Sequence, residues 1–342
     1  MKTTTFLTLA ALAASGFAAP AANPTGSCSS DSKASSGEKA QVSKASSASA
    51  SLSTASASSS GNSTSGSSSN DLGIPSGCLT KNNIAIGWLP DEDNGGTMPP
   101  ITSALGAKAC FYGLYSQVTS TKYDASQLTS RIDDIKSSGA VLQAAVMPTK
   151  VKFNQVDSDL AGQVCDAMKT FTDEGITVWL RFAHEFNWYV TDGTYAGGSQ
   201  QEFVTMWQTL AQKCKGNDKI KMYWSPNNVG DSVDQLNAWW PGADNVDIVG
   251  IDVYPKEGTD FAGAYGSFYK AFAEKYNKPF YIGETGSTGD DSAKKEWLSD
   301  LVNPGSDYPL YAGMSWFEYN KKGEGDFRVV LGDQDIAKSI LE

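Results

Sequence analysis

Two glutamates in this sequence stand at the ends of apolar, β-rich runs. Glu185 follows the run 177–184, and Glu284 ends the run 280–284. A lone glutamate beside a predicted strand is usually a solvated loop residue, but two in equivalent positions can form a catalytic pair. Hydrolysis of a glycosidic bond needs such a pair, because one carboxyl group protonates the leaving oxygen while the other attacks the sugar or directs water. Glu185 and Glu284 are therefore the candidate catalytic residues.

The two glutamates take separate roles if hydrolysis retains the anomeric configuration. Retention requires carboxyl groups roughly 5 to 5.5 Å apart, with Glu284 as the nucleophile and Glu185 as general acid and then base. The negative charge of Glu284 and aromatic surroundings should raise the pKa of Glu185. Arg181 and His184 precede Glu185 and are predicted to orient the carboxylates and the sugar hydroxyls. For His184, the alternative is a buried, hydrogen-bonded structural role.

The elements around the glutamates predict an α/β fold, a closed (α/β)8 TIM barrel in a single catalytic domain. Strand and helix patterns alternate, which indicates right-handed crossovers and a parallel sheet buried on both faces. In such a barrel the reacting groups come from the C-terminal ends of the strands. Gly139 and Gly175 are predicted to end helices before strands three and four. The predicted strands are residues 84–89, 110–116, 141–147, 177–184, 221–225, 246–254, 280–284 and 312–317, and the predicted helices include 125–138, 157–173, 200–213, 261–276 and 292–300.

A series of segments follows the predicted strands four to seven in order. They are His184-Glu185-Phe186-Asn187, Trp224-Ser225-Pro226-Asn227, Trp240-Pro241-Gly242 leading to Val246-Asp247-Ile248-Val249-Gly250-Ile251-Asp252-Val253-Tyr254, and Gly283-Glu284-Thr285-Gly286. Together they resemble glycoside hydrolase family 26, the β-mannanase and β-glucanase family of the large clan of retaining barrels. The resemblance spans most of residues 84–342.

This resemblance implies roles for further residues. It implies that Tyr254 hydrogen-bonds the nucleophile and that Trp316, at the end of strand eight, forms the floor of the subsite where the sugar is cleaved. Asn187 and Asp252 lie in the matching segments and are taken as substrate-binding residues. The family acts on polysaccharides, so β-mannan or β-glucan is the expected partner.

Aromatic side chains near the strand ends are candidate platforms for sugar rings. A flat indole or phenol face suits the C–H face of a pyranose. The alternative for each is that it fills the barrel core, and Trp188, in a predicted loop just beyond Glu185, is least suited to that alternative. The candidates are Trp88, Tyr115, Trp188, Tyr189, Trp224 and Trp316.

The substrate and the outcome of the reaction stay open at this level. Mannanases of the family often continue the His-Glu segment with glycine and a cluster of Trp and Phe, whereas this chain has Trp-Tyr-Val-Thr-Asp-Gly at 188–193. This difference leaves β-1,4-mannan, mixed-linkage β-glucan, β-1,3-glucan and xylan as alternatives, with endo action favoured by a compact barrel. A cell-wall transglycosylase would use the same residues, and an inactive carbohydrate-binding barrel is disfavoured by the presence of both glutamates and Tyr254. No cofactor or metal is expected, because one histidine cannot build the usual zinc or two-metal site.

The first 77 residues precede the predicted catalytic domain, 78–342. Residues 1–19 combine Lys2, a short apolar run and small residues, which is typical of a secretory signal peptide. Residues 20–77 are rich in Ser, Thr and Ala and predict a disordered linker, either a spacer from a cell wall or a passive tether. Asn62 is an N-glycosylation acceptor in that segment. We expect a secreted, extracellular protein, with association with the cell wall as one option.

Charge and cysteine content limit the partners and the compartment. The net charge of −11 argues against nucleic acid and anionic membranes, which need basic patches, and leaves a neutral polymer available to a protein expected to be a monomer. Five cysteines in an oxidising compartment can pair. Their places along the chain favour Cys78 with Cys110 and Cys165 with Cys214. Cys28 is then left over.

Overall fold

The computed structural model describes residues 72–342. The predicted signal peptide, Cys28, Asn62 and most of the predicted linker therefore lie outside the described residues. Eight parallel strands neighbour one another in chain order, and the last pairs with the first, so the sheet closes. The predicted (α/β)8 TIM barrel is confirmed. Its strands are β1 Ile84–Pro90, β2 Phe111–Gln117, β3 Val141–Met147, β4 Val178–Leu180, β5 Ile220–Trp224, β6 Ile248–Val249, β7 Phe280–Thr285 and β8 Tyr311–Glu318.

Helices connect the strands. Gly139 and Gly175 have φ values of 70° and 88°, in the left-handed region that favours glycine, and both follow helix ends as predicted. The predicted helix 125–138 is instead two short helices, separated at Arg131, whose φ of −108° and ψ of 9° depart from helical values. The helices are α1 Met98–Leu105, α2 Ser126–Thr129, α3 Ile132–Ser138, α4 Ser158–Asp173, α5 Phe186–Asp192, α6 Gln200–Cys214, α7 Val233–Asn237, α8 Phe261–Phe268, which continues as the π-helix Tyr269–Glu274, α9 Asp291–Val302 and α10 Gln334–Leu341.

The lower interior of the barrel is filled by side chains. Successive side chains of a strand point to opposite faces, so every second residue points inward. Phe111, Trp179 and Tyr281 meet there, with ring centroids 4.7 Å apart for Phe111–Trp179 and for Trp179–Tyr281. Leu72, near the end of the predicted linker, is buried against this layer and accepts a hydrogen bond of 2.9 Å from Trp179 Nε1. The barrel is therefore closed at the end opposite the C-terminal ends of the strands.

Two disulfides reinforce the barrel wall. Cys78 is bonded to Cys110, which joins the segment before β1 to the start of β2, and Cys165 is bonded to Cys214, which joins α4 to α6. Both predicted pairings are confirmed. Among residues 72–342, no helix combines the length and apolar character needed to cross a membrane.

Candidate active site

Glu284 reaches the barrel interior through an irregularity in β7. The register between β7 and β8 shifts between Ile282 and Thr285. Gly283 already faces the interior, since a Cβ at this position would lie 2.6 Å from Arg181 Cζ. The shifted register lets the next residue, Glu284, also turn its carboxylate toward Arg181, whose Nη1 lies 3.7 Å from Glu284 Oε2. A side chain larger than hydrogen at residue 283 would displace this arginine.

The Glu284 carboxylate is held by three neighbours. The Tyr115 hydroxyl donates to Oε2, and the Tyr254 hydroxyl donates to Oε1 at 2.5 Å. Arg181 adds a positive charge on the same side as Tyr115. The residue is 5% exposed, so these contacts take the place of solvent. They fix the orientation of the carboxylate.

Glu185 sits in a strained turn beyond β4. Its φ is 52°, and Ala183 has a φ of 50°, in the left-handed region that is costly for residues with a Cβ. The Glu185 amide donates to the Ser225 carbonyl at 2.8 Å, which ties the turn to the end of β5. α5 begins at the next residue, Phe186. The turn takes the Glu185 side chain out of the strand pattern and buries it at the C-terminal end of the barrel.

The surroundings of Glu185 favour its protonated form. Burial and then the negative charge of Glu284 raise the pKa of Glu185 to about 8, in the direction predicted from the sequence. Asn227 Nδ2 donates to Glu185 Oε1 at 2.5 Å, and a hydrogen bond from Tyr189 also reaches this side chain. Both bonds lower the pKa without cancelling the rise. At neutral pH, Glu185 therefore carries a proton that it can donate.

Arg181 connects four strand ends beneath the two glutamates. It donates to Asp252 and, at 2.7 Å from Nη2, to Ser225 Oγ. Burial lowers the pKa of Arg181, but Asp252 and Glu284 raise it beyond its usual range, so the guanidinium is cationic. Asp252 is 0% exposed and is occupied by Arg181 and Ser225. The prediction that Asp252 binds substrate is therefore wrong, because its carboxylate serves as the counter-ion of Arg181.

His184 is buried between aromatic rings. Its ring centroid lies 5.6 Å from those of Tyr115 and Tyr189. Burial and then the Arg181 charge lower its pKa well below the usual value, so the ring is neutral. The His184 carbonyl accepts from the Tyr195 hydroxyl at 2.7 Å. Among the described residues, His184 Nε2 has no hydrogen-bond partner, which leaves this atom available to a ligand.

Asn187 supports Asn227 in its contact with Glu185. Asn187 Nδ2 donates to the Asn227 carbonyl at 2.8 Å and to Asp231 Oδ2 at 2.7 Å, and its Oδ1 accepts from the Asn227 amide at 2.8 Å. Both protons of its amide nitrogen are used. The predicted substrate contact of Asn187 is replaced by a positioning role. Asn227 was missed as a site residue, although it ends one of the segments on which the family resemblance rests.

Comparison with known proteins agrees with this geometry. Residues 134–294 match the sequence model of Glycosyl hydrolase family 26. This part of the chain, which carries both glutamates, matches the family. A family 26 β-mannanase from Bacteroides ovatus superimposes with a TM-score of 0.55 at 20% identity, over 77% of this chain and 87% of that chain. At this identity the likeness shows the barrel fold.

Curated relatives of this chain differ in substrate. A β-1,3-xylanase from Alcaligenes sp is 26% identical over 127 residues, which are 36% of this chain and 26% of the relative. A mannan endo-1,4-beta-mannosidase A and B from Caldalkalibacillus mannanilyticus is 25% identical over 183 residues, which are 49% of this chain and 34% of the relative. The chain thus matches no more than 34% of the length of these two relatives.

Two predicted sugar platforms lie on the outer face of the barrel strands, away from the glutamates. Trp224 and Trp316 are 0% exposed and belong to the core between barrel and helices, while their neighbours Tyr223 and Phe317 point inward. Trp224 packs on Phe186, with centroids 5.5 Å apart. The proposed floor, Trp316, therefore faces away from the glutamates, because adjacent residues of a strand lie on opposite faces. Both predictions as substrate-binding residues are wrong.

The other aromatic candidates divide between core and site. Trp88 is also 0% exposed and lies in the outer core. Trp188 is half-buried, in α5 rather than in a loop, and its Nε1 has no hydrogen-bond partner among residues 72–342. Tyr115 and Tyr189 contact the glutamates directly. Of the candidate indoles, Trp188 is the one that keeps part of its surface exposed.

An aromatic cluster that the sequence analysis missed fixes Tyr254. The rings of Phe317 and Tyr319 stack with centroids 4.0 Å apart. Tyr254 meets Phe317 at 5.8 Å and Phe327 at 5.4 Å, edge to face in both cases. Phe327 is anchored through its carbonyl, which accepts from Trp316 Nε1 at 2.8 Å. The outward-facing Trp316 therefore supports the site indirectly.

One set of potential metal ligands overlaps the site. His184, Asp252 and Glu284 each offer a ligand atom, and these atoms lie within 4.8 Å of one another. Arg181 is bonded to Asp252 and lies beside Glu284. A metal ion at this position would meet a guanidinium charge of the same sign, so these residues suit an arginine and not a metal.

Proposed function

We propose that this chain is a secreted, retaining endo-β-glycosidase that hydrolyses a neutral polysaccharide. The different surroundings of the two glutamates are the observation that carries the proposal. The hydroxyls of Tyr115 and Tyr254 donate to the Glu284 carboxylate and Arg181 lies beside it, whereas burial and the charge of Glu284 raise the pKa of Glu185 to about 8. An ionised nucleophile beside a protonated acid is the arrangement that glycoside cleavage requires.

In the first step, Glu284 attacks the anomeric carbon while Glu185 transfers its proton to the departing oxygen. The products are a glycosyl ester on Glu284 and a free sugar chain end. Esterification removes the negative charge that raised the pKa of Glu185, so Glu185 becomes a better base. In the second step it takes a proton from water, which attacks the same carbon and releases Glu284 with net retention.

β-1,4-Mannan, mixed-linkage β-glucan and xylan are the substrates to compare. The names of the relatives support mannan and β-1,3-xylan, and the segment 188–193 next to Glu185 departs from the pattern of the mannanases. A neutral polymer also suits a chain with a net charge of −11. Secretion is supported by the two disulfides, which are typical of oxidising compartments.

A substrate screen tests the proposed function. Full-length secreted protein is incubated with mannan, lichenan, laminarin, β-1,3-xylan and β-1,4-xylan, and product anomers are followed by NMR from the first minutes. We expect one polymer to yield oligosaccharides whose new ends appear first in the β configuration. α-anomers appearing first, or no cleavage of any polymer, would contradict the proposal. Adding an acceptor sugar to the same assay measures transglycosylation.

Tyr254→Phe should slow catalysis with little effect on folding. The variant loses the 2.5 Å hydrogen bond to Glu284, and a bond to a charged group is worth about 1.5–3 kcal/mol. We expect kcat to fall about 10- to 100-fold, with the ring still packed on Phe317 and Phe327. Tyr276→Phe, away from the site, is the matched control. Equal rates in the two variants would show that Tyr254 does not act on Glu284.

The pH profile should report the acid, Glu185. Because Glu185 must be protonated to donate, kcat/KM should fall as the pH rises above about 8. Asn227→Ala removes a hydrogen bond that lowers this pKa, so its alkaline limb should move to higher pH. Asn237→Ala, in α7, serves as control and should keep the limb of the wild type. A limb that moves to lower pH in Asn227→Ala would exclude this role of Asn227.

A further inference from the structure

A cavity of about 720 Å³ lies beside the C-terminal end of β2, apart from the two glutamates. Its wall includes Ser116 and Gln117 of β2, the loop that follows, Gln127 of α2 and Gln163 of α4. This volume is in the range of sites that hold small molecules or parts of larger ligands. Nothing in the reaction described above uses these residues.

The chemistry of the cavity wall suits a neutral, hydroxyl-rich ligand. Gln117, Gln127 and Gln163 contribute three carboxamides, each of which both donates and accepts hydrogen bonds. The charged side chains of the wall are one cation, Lys122, and one anion, Asp124, both exposed. Their opposite signs give the wall no net charge. A sugar hydroxyl, which also donates and accepts, is the matching group.

The carboxamides are held in place before any ligand arrives. Gln127 Oε1 accepts from the Gln117 amide at 2.6 Å and from Ser116 Oγ at 3.2 Å, and Gln127 Nε2 donates to Gln117 Oε1 at 2.8 Å. Gln163 Oε1 accepts from the Tyr123 amide at 3.0 Å. The second proton of Gln127 Nε2 remains free, and no residue within 72–342 bonds Gln117 Nε2. Fixed donors with spare capacity reduce the entropy lost on binding.

The cavity begins on the strand that contacts the proposed nucleophile. Tyr115 and Gln117 are two residues apart on β2, so their side chains lie on the same face. The Tyr115 hydroxyl donates to Glu284, and Gln117 follows it toward the C-terminal end of the strand. The cavity and the proposed nucleophile therefore lie at the same end of the barrel.

We propose that this cavity is a distal subsite that binds a neutral sugar unit of the polysaccharide through the carboxamides of Gln117, Gln127 and Gln163. The proposal rests on the proposed function for the identity of the ligand. It adds a place where long chains gain affinity that short ones lack. The subsite would favour internal positions of a polymer over the ends of short oligosaccharides.

Calorimetric binding tests the subsite. The protein used is the full-length Glu284→Gln variant, which lacks the nucleophile and should not cleave the saccharides during the measurement. It is titrated with di- and hexasaccharides of β-1,4-mannan, mixed-linkage β-glucan and β-1,3-xylan. Adding Gln163→Ala should weaken hexasaccharide binding about tenfold, which is about 1.4 kcal/mol, and change disaccharide binding less than twofold. Gln163→Glu keeps the acceptor for the Tyr123 amide but loses the donor, so it should also weaken hexasaccharide binding. Gln212→Ala, exposed on α6, should change neither.

The other outcomes separate this inference from the proposed function. Equal losses for both chain lengths, or an unchanged hexasaccharide affinity in both Gln163 variants, would overturn the subsite. Failure of every saccharide to bind, while wild-type protein still cleaves a polymer, would also overturn it and leave the proposed function standing. Failure of the wild type to cleave any polymer would remove both. Thermal unfolding of each variant checks that it is folded.

Discussion

Glu284→Ala is expected to abolish hydrolysis, with a loss in kcat of about 10⁴-fold or more. The variant lacks the group that forms the covalent intermediate. Among residues 72–342 no other carboxylate is placed to replace it, since Asp252 is engaged by Arg181 and Glu185 serves as the acid. External azide or formate can occupy the vacated space and attack from the same side. With an activated glycoside, partial rescue should therefore give a product of inverted configuration.

Two measurements test whether the loss of activity in Glu284→Ala has another cause, such as unfolding of the variant. Glu296→Ala, an exposed glutamate on α9, is the matched control and should keep wild-type rates. Thermal unfolding should show Glu284→Ala folded, because Arg181 keeps Asp252 as a partner. A folded Glu284→Ala protein that retains most of its rate would show that Glu284 is not the nucleophile. Rescue with retained configuration would point to the same conclusion.

Glu185→Ala is expected to discriminate between leaving groups. General acid catalysis contributes about 10²–10⁴-fold, so polysaccharide cleavage should fall by that factor. A dinitrophenyl glycoside, whose leaving group scarcely needs a proton, should lose far less in its first step. Azide, which needs no base, should speed the second step and give a product of retained configuration. Steady-state kinetics on both substrates, with NMR of the azide product, measure these effects.

The pH profile supplies a separate criterion for Glu185. An alkaline limb near pH 8 is expected from the raised pKa of Glu185, so Glu185→Gln, which cannot titrate, should lack that limb. Glu185→Gln also nearly preserves the shape of the side chain. If good and poor leaving groups lose rate equally in Glu185→Ala, or if the limb persists in Glu185→Gln, another group is the acid.

The barrel and the proposed catalytic pair could be predicted because their signals are local. Apolar runs alternate with amphipathic segments, and glycines such as Gly139 and Gly175 mark helix ends. A parallel barrel brings the C-terminal ends of its strands to one end of the molecule. Two glutamates at such ends, Glu185 and Glu284, therefore approach each other although they are far apart in sequence. The pairing of Cys78 with Cys110 follows from the same strand order.

The faces of the strands could not be predicted in the same way. Strands of a parallel barrel are buried on both sides, so they read as continuous apolar runs without the alternation that marks an outer face. Such a run does not show whether Tyr223 or Trp224 faces the barrel interior, because both are aromatic. The same holds for Trp316 and Phe317. Only pairing with the neighbouring strands determines which residue of each pair points inward. In the folded barrel, Trp224 and Trp316 point outward.

The sequence by itself determined the order of strands and helices and the positions of the two glutamates. The tertiary structure decided that Asp252 neutralises Arg181, that Asn187 holds Asn227, and that Glu185 is protonated at neutral pH. Strand order follows from local patterns of apolar residues. Charge state and hydrogen-bond partners follow from burial and from contacts between distant segments, which exist only once the barrel has closed.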